Sequence, residues 1–392
     1  MTTAEPSSTT ARSPSPGRRG DRELLLVVLF SVLALSVLHP YPYDNVQTRW
    51  ALTRRLVEHG SIDITPWSHL TCDVAFYEGR YYCDKAVMTS LLAALPHAPL
   101  YWISRAAGWD GAGGFQAFAR FLSERVVCTG SLVLLLLLLA RLARSRGEPA
   151  LIPLLAVGLG SVLLPYSTLL YGHVPAAAAI FASFFFQSRG RYGLADLFGA
   201  LASAIEFPVL LPFAVLLLYR PRSSWGLRPL ARLAGITLAC FLPQILHNWI
   251  AFGSPFRMGY SLEASEAFGR IHEGLFGFTL PKLSTAYTQL LSAERGLLFY
   301  MPWALPGFLG FFAGRGFRRV LRTDPRPLLV VLFLLLFSST FARTGGWAYG
   351  PRYLIPVVPF LASGLGRFGE LSPVRRGLVM WLLLPAVLLT LL

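Results

Sequence analysis

The sequence contains little charge. Charged residues make up 14% of its 392 positions and hydrophobic residues 54%, whereas an ordinary soluble domain is about one quarter charged. Water therefore cannot be the only solvent of this chain. Apolar runs recur along it, and most approach the ~20 residues that a helix needs to cross a ~30 Å hydrocarbon core. The composition predicts an all-α polytopic membrane protein with about ten or eleven transmembrane helices.

Motifs of nucleotide-dependent and zinc-dependent proteins are also lacking. The sequence has no Walker loop, no dinucleotide-binding fingerprint and no zinc-ligand spacing, and it shows no internal repeat. Lysine is nearly missing, with two lysines against 33 arginines. Together with abundant alanine, glycine and proline, this bias indicates a GC-rich bacterial genome. We therefore expect a bacterial plasma membrane.

The net charge of +15 lies almost entirely in the segments between alternate apolar runs. Six such segments hold 21 of the 35 basic residues and seven acidic ones, counting Glu23 and Asp196 at their edges; the rest of the chain holds 14 basic and 13 acidic residues. This is the positive-inside pattern, so the arginine clusters are cytoplasmic and no nucleic-acid partner is needed to explain the charge. The six segments are 1–22, 141–148, 189–191, 220–232, 315–326 and 367–376.

The predicted spans follow a polar N-terminal tail. Residues 1–22 are too polar to fold alone, and we expect a disordered cytoplasmic tail before a single transmembrane domain over residues 23–392. His39-Pro40-Tyr41-Pro42 offers no small-residue cleavage site, so the first apolar run is an uncleaved helix that leaves the cytoplasm. The predicted spans are about 23–39, 121–140, 150–170, 174–187, 193–206, 208–219, 231–249, 298–313, 327–341, 353–366 and 377–392.

Two long extracytoplasmic loops connect these spans, at 40–118 and 250–297. In the first loop, Met88 to Ile103 is apolar but contains Pro96 and Pro99. If this segment crossed the membrane, every later arginine cluster would lie outside the cell. We therefore interpret it as a helix that lies in, or dips into, the outer interface.

Asp44 follows the first helix directly. Prolines at 40 and 42 end that helix, and Asp44 is well placed to cap a second helix over Val46 to His59. Two roles therefore stay open for its carboxylate: a helix cap alone, or a chemical group at the membrane surface.

The segment from Thr71 to Lys85 predicts a small β-hairpin with a turn at Glu78-Gly79. In that register Asp73 lies opposite Asp84, and adjacent carboxylates either share a proton or hold a cation. A divalent cation bound by these two residues is the one cofactor that the pattern indicates. The alternative is a solvated hairpin with scattered charges. Lys85 is a compact charge suited to phosphate binding.

The same hairpin carries two of the four cysteines. We predict a disulfide between Cys72 and Cys83, because both lie in the oxidising compartment whereas Cys128 and Cys240 fall within spans. With a two-residue turn the pair would be diagonal neighbours at ~7 to 8 Å, beyond the usual disulfide Cα separation of ~4.4 to 6.8 Å. The bridge therefore requires a shifted or wider turn.

Further ionisable residues fall at the outer ends of spans. His173 follows Tyr171-Gly172, and Glu206 lies within an apolar run, where a charge is costly unless it has a function. A capped or interfacial side chain is the alternative for both. The outer loops also contain Arg295 and the segment from Gly345 to Tyr353.

These motifs together resemble uncharacterised bacterial members of the GT-C glycosyltransferase superfamily, which includes protein O-mannosyltransferases and the transferases that place aminoarabinose on lipid A. The resemblance covers about residues 23–366. It implies transfer of a sugar from a polyprenyl-phosphate carrier to a glycan, lipid or protein acceptor on the outer face, with inversion at the anomeric carbon. It rests on Asp44, Asp73 to Lys85, Tyr171-Gly172-His173, His247-Asn248, Phe252-Gly253-Ser254-Pro255, Glu294 to Pro302 and Gly350-Pro351-Arg352-Tyr353.

The resemblance implies that Asp44 is the catalytic base and that Asp84 and Lys85 lie near the lipid phosphate. The sequence departs from the family at Ala86-Val87-Met88, where a Pro-Gly is expected. The chemistry itself needs a carboxylate to deprotonate the acceptor hydroxyl and cations to neutralise the departing phosphate. The other candidates are Asp73 and Asp84 as bases, and His173, Glu206, Arg295, Arg352 and Tyr353 as substrate-binding or phosphate-binding residues.

A lipid or sugar transporter without catalysis is the alternative function, and an inactive scaffold is a third. Transporters place substrate-binding groups near the bilayer midplane. Here Glu206 is the one plausible midplane charge, while the acidic residues gather in the outer loops. This distribution favours an enzyme.

Overall fold

The computed structural model describes residues 16–37, 43–109, 113–266, 269, 277–340, 348–370 and 372–391. Within these ranges the chain forms 18 α-helices and one two-stranded sheet, so the predicted all-α class is confirmed. Residues 1–15 of the predicted tail, Pro40 and Pro42, and Gly345-Gly346-Trp347 lie outside the described residues.

The N-terminal half contains helices α1 to α10 and strands β1 and β2. They are α1 (Pro16–Ser36), α2 (Asp44–His59), β1 (Ala75–Tyr77), β2 (Arg80–Tyr82), α3 (Met88–Ala106), α4 (Gly113–Glu124), α5 (Gly130–Ser145), α6 (Leu151–Gly158), α7 (Leu163–Tyr166), α8 (His173–Gln187), α9 (Tyr192–Ile205) and α10 (Leu210–Leu218). One π-helical turn (Arg125–Thr129) joins α4 to α5, and 3₁₀ turns lie at Thr65–Leu70 and Phe207–Val209.

The C-terminal half contains helices α11 to α18. They are α11 (Leu227–Phe252), α12 (Leu283–Leu290), α13 (Leu297–Tyr300), α14 (Ala304–Gly310), α15 (Phe317–Thr323), α16 (Arg326–Ser338), α17 (Val358–Glu370) and α18 (Pro373–Leu391). Further 3₁₀ turns lie at Arg222–Ser224, Gly259–Ser261 and Arg352–Val357.

Three described helical stretches are long and apolar enough to cross a membrane: Gly113–Ser145, Leu227–Phe252 and Pro373–Leu391. Shorter apolar helices complete the bundle, and a helix of 12 to 15 residues covers only about 18 to 22 Å of a ~30 Å core. The polytopic membrane fold is therefore built partly from helices that are shorter than a full span. The shorter helices are Leu25–Ser36, His173–Gln187, Tyr192–Ile205, Phe207–Leu218 and Arg326–Ser338.

Helix α1 begins at Pro16 rather than at the predicted Glu23. The last seven residues of the predicted disordered tail are thus helical, and proline suits the first turn of a helix because its missing N–H has no partner there. Glu23 pairs with Arg144 at the end of α5, with 2.6 Å between Oε2 and Nε. This ion pair ties the start of the first apolar run to the end of α5.

Helix α3 lies along α2. The Ser90 hydroxyl donates to the carbonyl oxygen of Arg49 at 3.0 Å, and further along the pair His97 Nε2 lies 3.1 Å from Glu58 Oε1. Helix α2 carries Arg49, Arg54, Arg55 and Glu58 and is too polar to cross a bilayer. Because α3 follows α2 along its length, the contacts agree with the interfacial interpretation of this apolar segment.

The predicted hairpin is confirmed. Strands β1 and β2 pair antiparallel, with Ala75 opposite Tyr82 and Tyr77 opposite Arg80. The two turn residues both have positive φ, 48° at Glu78 and 79° at Gly79. Such angles define the type I′ turn, whose twist matches that of the strands it joins.

The predicted disulfide between Cys72 and Cys83 is wrong for this structure, in which both residues are thiols. The two-residue turn is retained, so the cysteines stay diagonal across the hairpin instead of facing each other. Cys72 is exposed and Cys83 is buried in the cluster formed with Leu52 and Val74. Burial raises the pKa of the Cys83 thiol to about 11.

Candidate active site

The open end of the hairpin carries a buried ionic cluster. Asp73 precedes β1, and Asp84 and Lys85 follow β2, so the register brings the three side chains to one point. Lys85 Nζ lies 2.6 Å from Asp73 Oδ1, bonds to Asp84 Oδ2, and lies 3.8 Å from Glu263 Oε1. The two aspartates that we expected to face each other do so with the lysine ammonium held between them.

Burial and the neighbouring charges shift the pKa values of the three residues in different directions. Burial opposes the charge on Lys85, but Asp73 and Asp84 outweigh it and hold the pKa of Lys85 well above its usual value. Burial alone would raise the pKa of Asp73, yet Lys85 keeps that pKa below its usual value. Burial raises the pKa of Asp84 well above its ordinary range, and the carboxylates of Asp73 and Glu263 add to this shift against the attraction of Lys85.

The three carboxylates could also be considered as ligands for a divalent cation. Asp73, Asp84 and Glu263 each offer one ligand oxygen, and these atoms lie within 4.8 Å of one another. The ammonium of Lys85 already bonds to two of the three acids. A divalent cation would have to compete with this positive charge, so the residues fit the ammonium better than a metal ion.

A second polar chain runs from α2 to the ends of α8 and α9. Arg49 Nη2 lies 3.3 Å from Glu206 Oε1, and His173 Nδ1 lies 3.4 Å from the same oxygen. Asn45 links this chain to the hairpin, because its amide donates to Asp73 Oδ2 at 3.3 Å and its carbonyl accepts from Arg49. Glu206 directly follows α9 and His173 begins α8, so both predicted residues lie at helix ends beside the cluster.

Arg352 and Tyr353 approach this chain from the 3₁₀ turn before α17. Arg352 Nη2 donates to the Tyr353 hydroxyl at 3.3 Å, and its guanidinium lies 4.9 Å from the Tyr353 ring and 5.9 Å from the Tyr171 ring. His173 stacks on Tyr171 with 5.7 Å between ring centroids. The fold thus brings two predicted outer segments together around one arginine.

Asp44 is exposed at the rim of the cluster. It is the first residue of α2, whose N-cap is Tyr43, and it does not cap its own helix. Instead Asp44 Oδ1 accepts a hydrogen bond from the Cys72 N–H at 3.1 Å, and its carbonyl accepts one from the Thr71 hydroxyl at 3.0 Å. The carboxylate ties α2 to the hairpin and forms no ion pair with any residue that the structure describes.

Arg295 lies on the turn between α12 and α13. It is half-buried, and its guanidinium donates to the carbonyl oxygen of Glu294 at 3.2 Å. Its backbone N–H donates to the Ser292 hydroxyl at 3.1 Å, so the contacts that place Arg295 here are with its own turn.

An apolar cavity of about 630 Å³ opens beside these residues. Its walls come from the segment around α10, from α16 and from the second outer loop. Its polar edge is formed by His173, Glu206, Tyr260 and Tyr353. Lys85 Nζ lies 5.1 Å from the centroid of the Tyr260 ring, which connects the edge of the cavity to the ionic cluster.

Four residues of the site were missed from the sequence: Asn45, Arg49, Tyr260 and Glu263. A signal existed for two of them, because residues four apart share one face of a helix and Asn45 directly follows Asp44. Tyr260 and Glu263 lie in the long second loop, where no periodic pattern marks them. Ala75 in β1 forms a bridge with Glu263, and this non-local contact brings the loop to the cluster.

This arrangement defines a polytopic membrane protein with a polar site at one end of its helices and an apolar cavity beside it. No protein-family model and no curated protein matches the sequence. Among solved structures, the chain is similar to ArnT from Cupriavidus metallidurans bound to undecaprenyl phosphate, with a TM-score of 0.60 and 15% identity over 94% of this chain and 63% of that chain. ArnT from the same organism in the apo state gives 0.58 and 16% over 93% and 62%.

The chain therefore spans a little under two thirds of the length of the ArnT chain. At this level of identity the similarity shows a shared fold. The predicted polytopic membrane fold is confirmed in that sense.

Proposed function

We propose that this protein is a membrane glycosyltransferase that uses a polyprenyl-phosphate-linked sugar as donor. The observation that carries the proposal is the junction between the apolar cavity and the cations Arg49, Lys85 and Arg352. An apolar cavity suits the carrier part of such a donor, and cations at its polar end suit the phosphate. The fold shared with ArnT, which was solved bound to undecaprenyl phosphate, supports this assignment.

The proposed reaction is a single displacement on the outer face of a bacterial plasma membrane. The oxygen of an acceptor hydroxyl attacks the anomeric carbon, and the bond between that carbon and the phosphate oxygen breaks. Polyprenyl phosphate leaves with the electron pair, and a carboxylate of the protein takes the acceptor proton. One displacement inverts the anomeric carbon, and the cations stabilise the charge that develops on the phosphate.

Asp44 is the carboxylate best suited to take that proton. It is exposed, its side chain accepts a hydrogen bond from the Cys72 N–H, and no lysine or arginine that the structure describes pairs with it. Asp73 and Asp84 are buried and both bond to Lys85, so they are less available to an incoming hydroxyl. A base within hydrogen-bond reach of the nucleophile typically contributes ~10² to 10⁴ in rate.

The position of Glu206 favours an enzyme over a transporter. Its place within an apolar run made it the one candidate for a charge at the bilayer midplane. Its contacts with Arg49 and His173 instead attach it to the cluster at the helix ends. The charges of the site are therefore gathered where a lipid phosphate would meet water.

The proposal is tested by mass spectrometry of lipid-linked sugars and envelope glycans in a deletion strain. The strain is complemented with wild type, with Asp44→Asn, or with Glu78→Gln as the control, since Glu78 is an exposed carboxylate on the hairpin turn. We expect Asp44→Asn to lose the glycan product and accumulate the lipid-linked donor, while Glu78→Gln matches wild type. Asparagine still accepts the Cys72 N–H, so the loss would report the missing base.

Two results would count against this assignment. Product retained in Asp44→Asn, together with a dead Asp73→Asn or Asp84→Asn variant, would move the base to the hairpin. An unchanged glycan and lipid-linked sugar profile on deletion and complementation would instead favour a protein without transferase activity.

A further inference from the structure

A second cavity, of about 500 Å³, lies at the other end of α8. Helix α8 begins at the candidate active site with His173 and ends with Gln187, which lines this second cavity. Fifteen residues of α-helix span about 21 Å from first to last, so the two cavities belong to opposite ends of the bundle. The lining of the second cavity is predominantly polar, unlike that of the first.

Four arginines from three of the arginine-rich segments line this cavity. Arg146 follows α5, Arg315 lies between α14 and α15, Arg326 begins α16, and Arg367 lies near the end of α17. In the sequence Arg315 and Arg326 are the two ends of segment 315–326, and the other two arginines belong to segments 141–148 and 367–376. The fold gathers them, so the concentration of positive charge is a property of the folded chain rather than of any one loop.

Two of these arginines pair with one acid. Asp324 Oδ2 accepts from Arg315 Nη2 at 3.0 Å and from Arg326 Nη2 at 2.6 Å, and Asp324 Oδ1 accepts from Arg326 Nε at 2.9 Å. Arg326 also donates to the Ser363 hydroxyl at 2.9 Å. These residues form a fixed wall of the cavity with one positive charge in excess.

The other two arginines keep donors for a ligand. Arg367 uses Nε to donate to the carbonyl oxygen of Ala313 at 3.0 Å, which leaves its terminal nitrogens. Arg146 lies over the ring of Phe184 at 5.9 Å, and its guanidinium forms no hydrogen bond or ion pair with any residue that the structure describes. Arg146 is exposed by surface area, but partial desolvation of its guanidinium, together with the charge of Arg326, lowers its pKa to about 10, so a bound anion would stabilise the charged form.

The cavity also presents carboxylates of its own. Glu148 and Glu370 line it, and neither forms an ion pair within 4 Å with a described residue. A cavity that offers both arginine N–H donors and carboxylates suits a zwitterionic ligand. Beside the cavity, the hydroxyl of Tyr219 donates to the carbonyl oxygen of Leu321 at 2.6 Å, and the neighbouring Leu218 is 77% exposed.

We propose that this cavity binds the headgroup of an aminophospholipid, with the phosphate on Arg146 and Arg367 and the ammonium on Glu148 and Glu370. Basic pockets between the ends of membrane helices are suited to lipid headgroups, and Leu218 and Leu321 offer apolar surface to the acyl chains. This inference does not depend on the proposed transferase activity, because it concerns the other end of the bundle.

The test is native mass spectrometry of the delipidated full chain in detergent, titrated separately with phosphatidylethanolamine, phosphatidylglycerol and inorganic phosphate. The variants are Arg146→Gln and Glu148→Gln, with Arg319→Gln as the control, since Arg319 is exposed and does not line the cavity. We expect phosphatidylethanolamine to bind more tightly than phosphatidylglycerol. Loss of one charge-assisted contact should weaken phosphatidylethanolamine binding roughly tenfold in Arg146→Gln, while Arg319→Gln matches wild type.

Glu148→Gln should weaken phosphatidylethanolamine but leave phosphatidylglycerol unchanged, because only the first carries an ammonium group. A melting temperature for each variant establishes that folded proteins are compared. Equal lipid affinities for Arg146→Gln and Arg319→Gln would overturn the proposal. It would equally fail if phosphatidylglycerol bound at least as tightly as phosphatidylethanolamine, or if inorganic phosphate bound as tightly as the lipid and displaced it.

Discussion

A buried ammonium among three carboxylates determines the charge balance of the candidate active site. Lys85 bonds to Asp73 and Asp84 and is almost fully buried. Removing one partner of a buried ion pair leaves the other charge uncompensated, which costs about 3 to 5 kcal/mol. Lys85 is thus expected to hold the hairpin and the second outer loop together as well as to face a phosphate.

We expect Lys85→Met to lower the free energy of unfolding by about 3 to 5 kcal/mol, because it leaves Asp73 charged and buried. Adding Asp73→Asn to the same chain should restore a large part of the free energy of unfolding, since it removes the uncompensated buried charge. Thermal unfolding in detergent measures both effects. The matched control is Lys282→Met, because Lys282 is the other lysine of the chain and is exposed; equal losses in the two lysine variants would contradict the account.

The raised pKa of Asp84 predicts a pH dependence of stability. An acid whose folded pKa lies above its unfolded value of ~3.9 stabilises the fold fully below that value. This contribution is lost as pH rises through the folded pKa. Asp84→Asn cannot ionise, so from about pH 4 upward wild type should lose stability relative to the variant, by at most ~1.4 kcal/mol per pH unit. The free energy of unfolding is measured for both proteins at each pH. A difference between them that stays constant across this range would show that Asp84 is ionised throughout.

At the scale of residues, local pattern predicted part of the site. The turn at Glu78-Gly79 set the register of the hairpin, and that register placed Asp73 opposite Asp84. The same register makes Cys72 and Cys83 diagonal neighbours, which disfavours a disulfide between them. The disulfide was predicted only because both residues lie in the oxidising compartment. Glu263 could not be predicted, because its position depends on a contact between two loops that are far apart in sequence.

Helices α14 and α17 cross with backbone against backbone. A Cβ atom on Gly310 would lie 2.0 Å from the carbonyl oxygen of Gly364, and one on Gly307 would lie 2.4 Å from that of Leu361. Small residues at such crossings let membrane helices approach closely and gain packing contacts. The crossing supports the 3₁₀ turn of Arg352, which leads directly into α17.

We expect Gly310→Ala to destabilise the protein by about 1 to 3 kcal/mol, because the added methyl group must displace a backbone. Gly235→Ala is the matched control: Gly235 lies in α11, a Cβ there would contact nothing within 4 Å, and alanine favours a helix over glycine by up to ~1 kcal/mol. Melting temperatures of the two variants give the comparison. A Gly310→Ala protein as stable as Gly235→Ala would mean that the two helices can separate at no cost.

At the scale of elements, hydropathy predicted where apolar segments lie but not where helices break. The predicted span at 298–313 is two short helices interrupted near Pro302, and the span at 353–366 begins with a 3₁₀ turn that contains Pro356. Apolar composition reports burial in lipid or protein, whereas helix continuity depends on backbone hydrogen bonds that proline removes. Broken spans are tolerated where the freed backbone lines a cavity or is buried in protein.

The whole molecule separates its charged groups into two ends. Segments predicted to be outside meet at the candidate active site, where Asp44, Lys85, His173 and Arg352 converge. Arginines of the segments predicted to be cytoplasmic meet at the second cavity. The alternation of predicted segments therefore agrees with the folded arrangement, and the remaining question at this scale is which end faces the cytoplasm.

The distribution of arginines predicts that the end with the second cavity is cytoplasmic. The interfacial position of α3 is part of the same prediction, since a membrane-crossing α3 would invert every later segment. In the structure α3 follows the polar helix α2, and the stretch Gly113–Ser145 spans about 48 Å, so its first third can extend beyond the hydrocarbon core beside α2 and α3. Arg120 in that third donates to Gln47 of α2 at 2.7 Å.

This topology is tested by labelling single cysteines introduced into a chain whose four native cysteines have been replaced. In intact cells, a membrane-impermeant thiol reagent should label Glu78→Cys but not Ser145→Cys, because the hairpin turn and the end of α5 are exposed at opposite ends of the bundle. After permeabilisation both should react, which shows that the Ser145 position is accessible at all. Labelling of Ser145→Cys from outside intact cells, with Glu78→Cys protected, would invert the molecule and place the candidate active site in the cytoplasm. Labelling of both from outside would mean that α3 crosses the membrane after all.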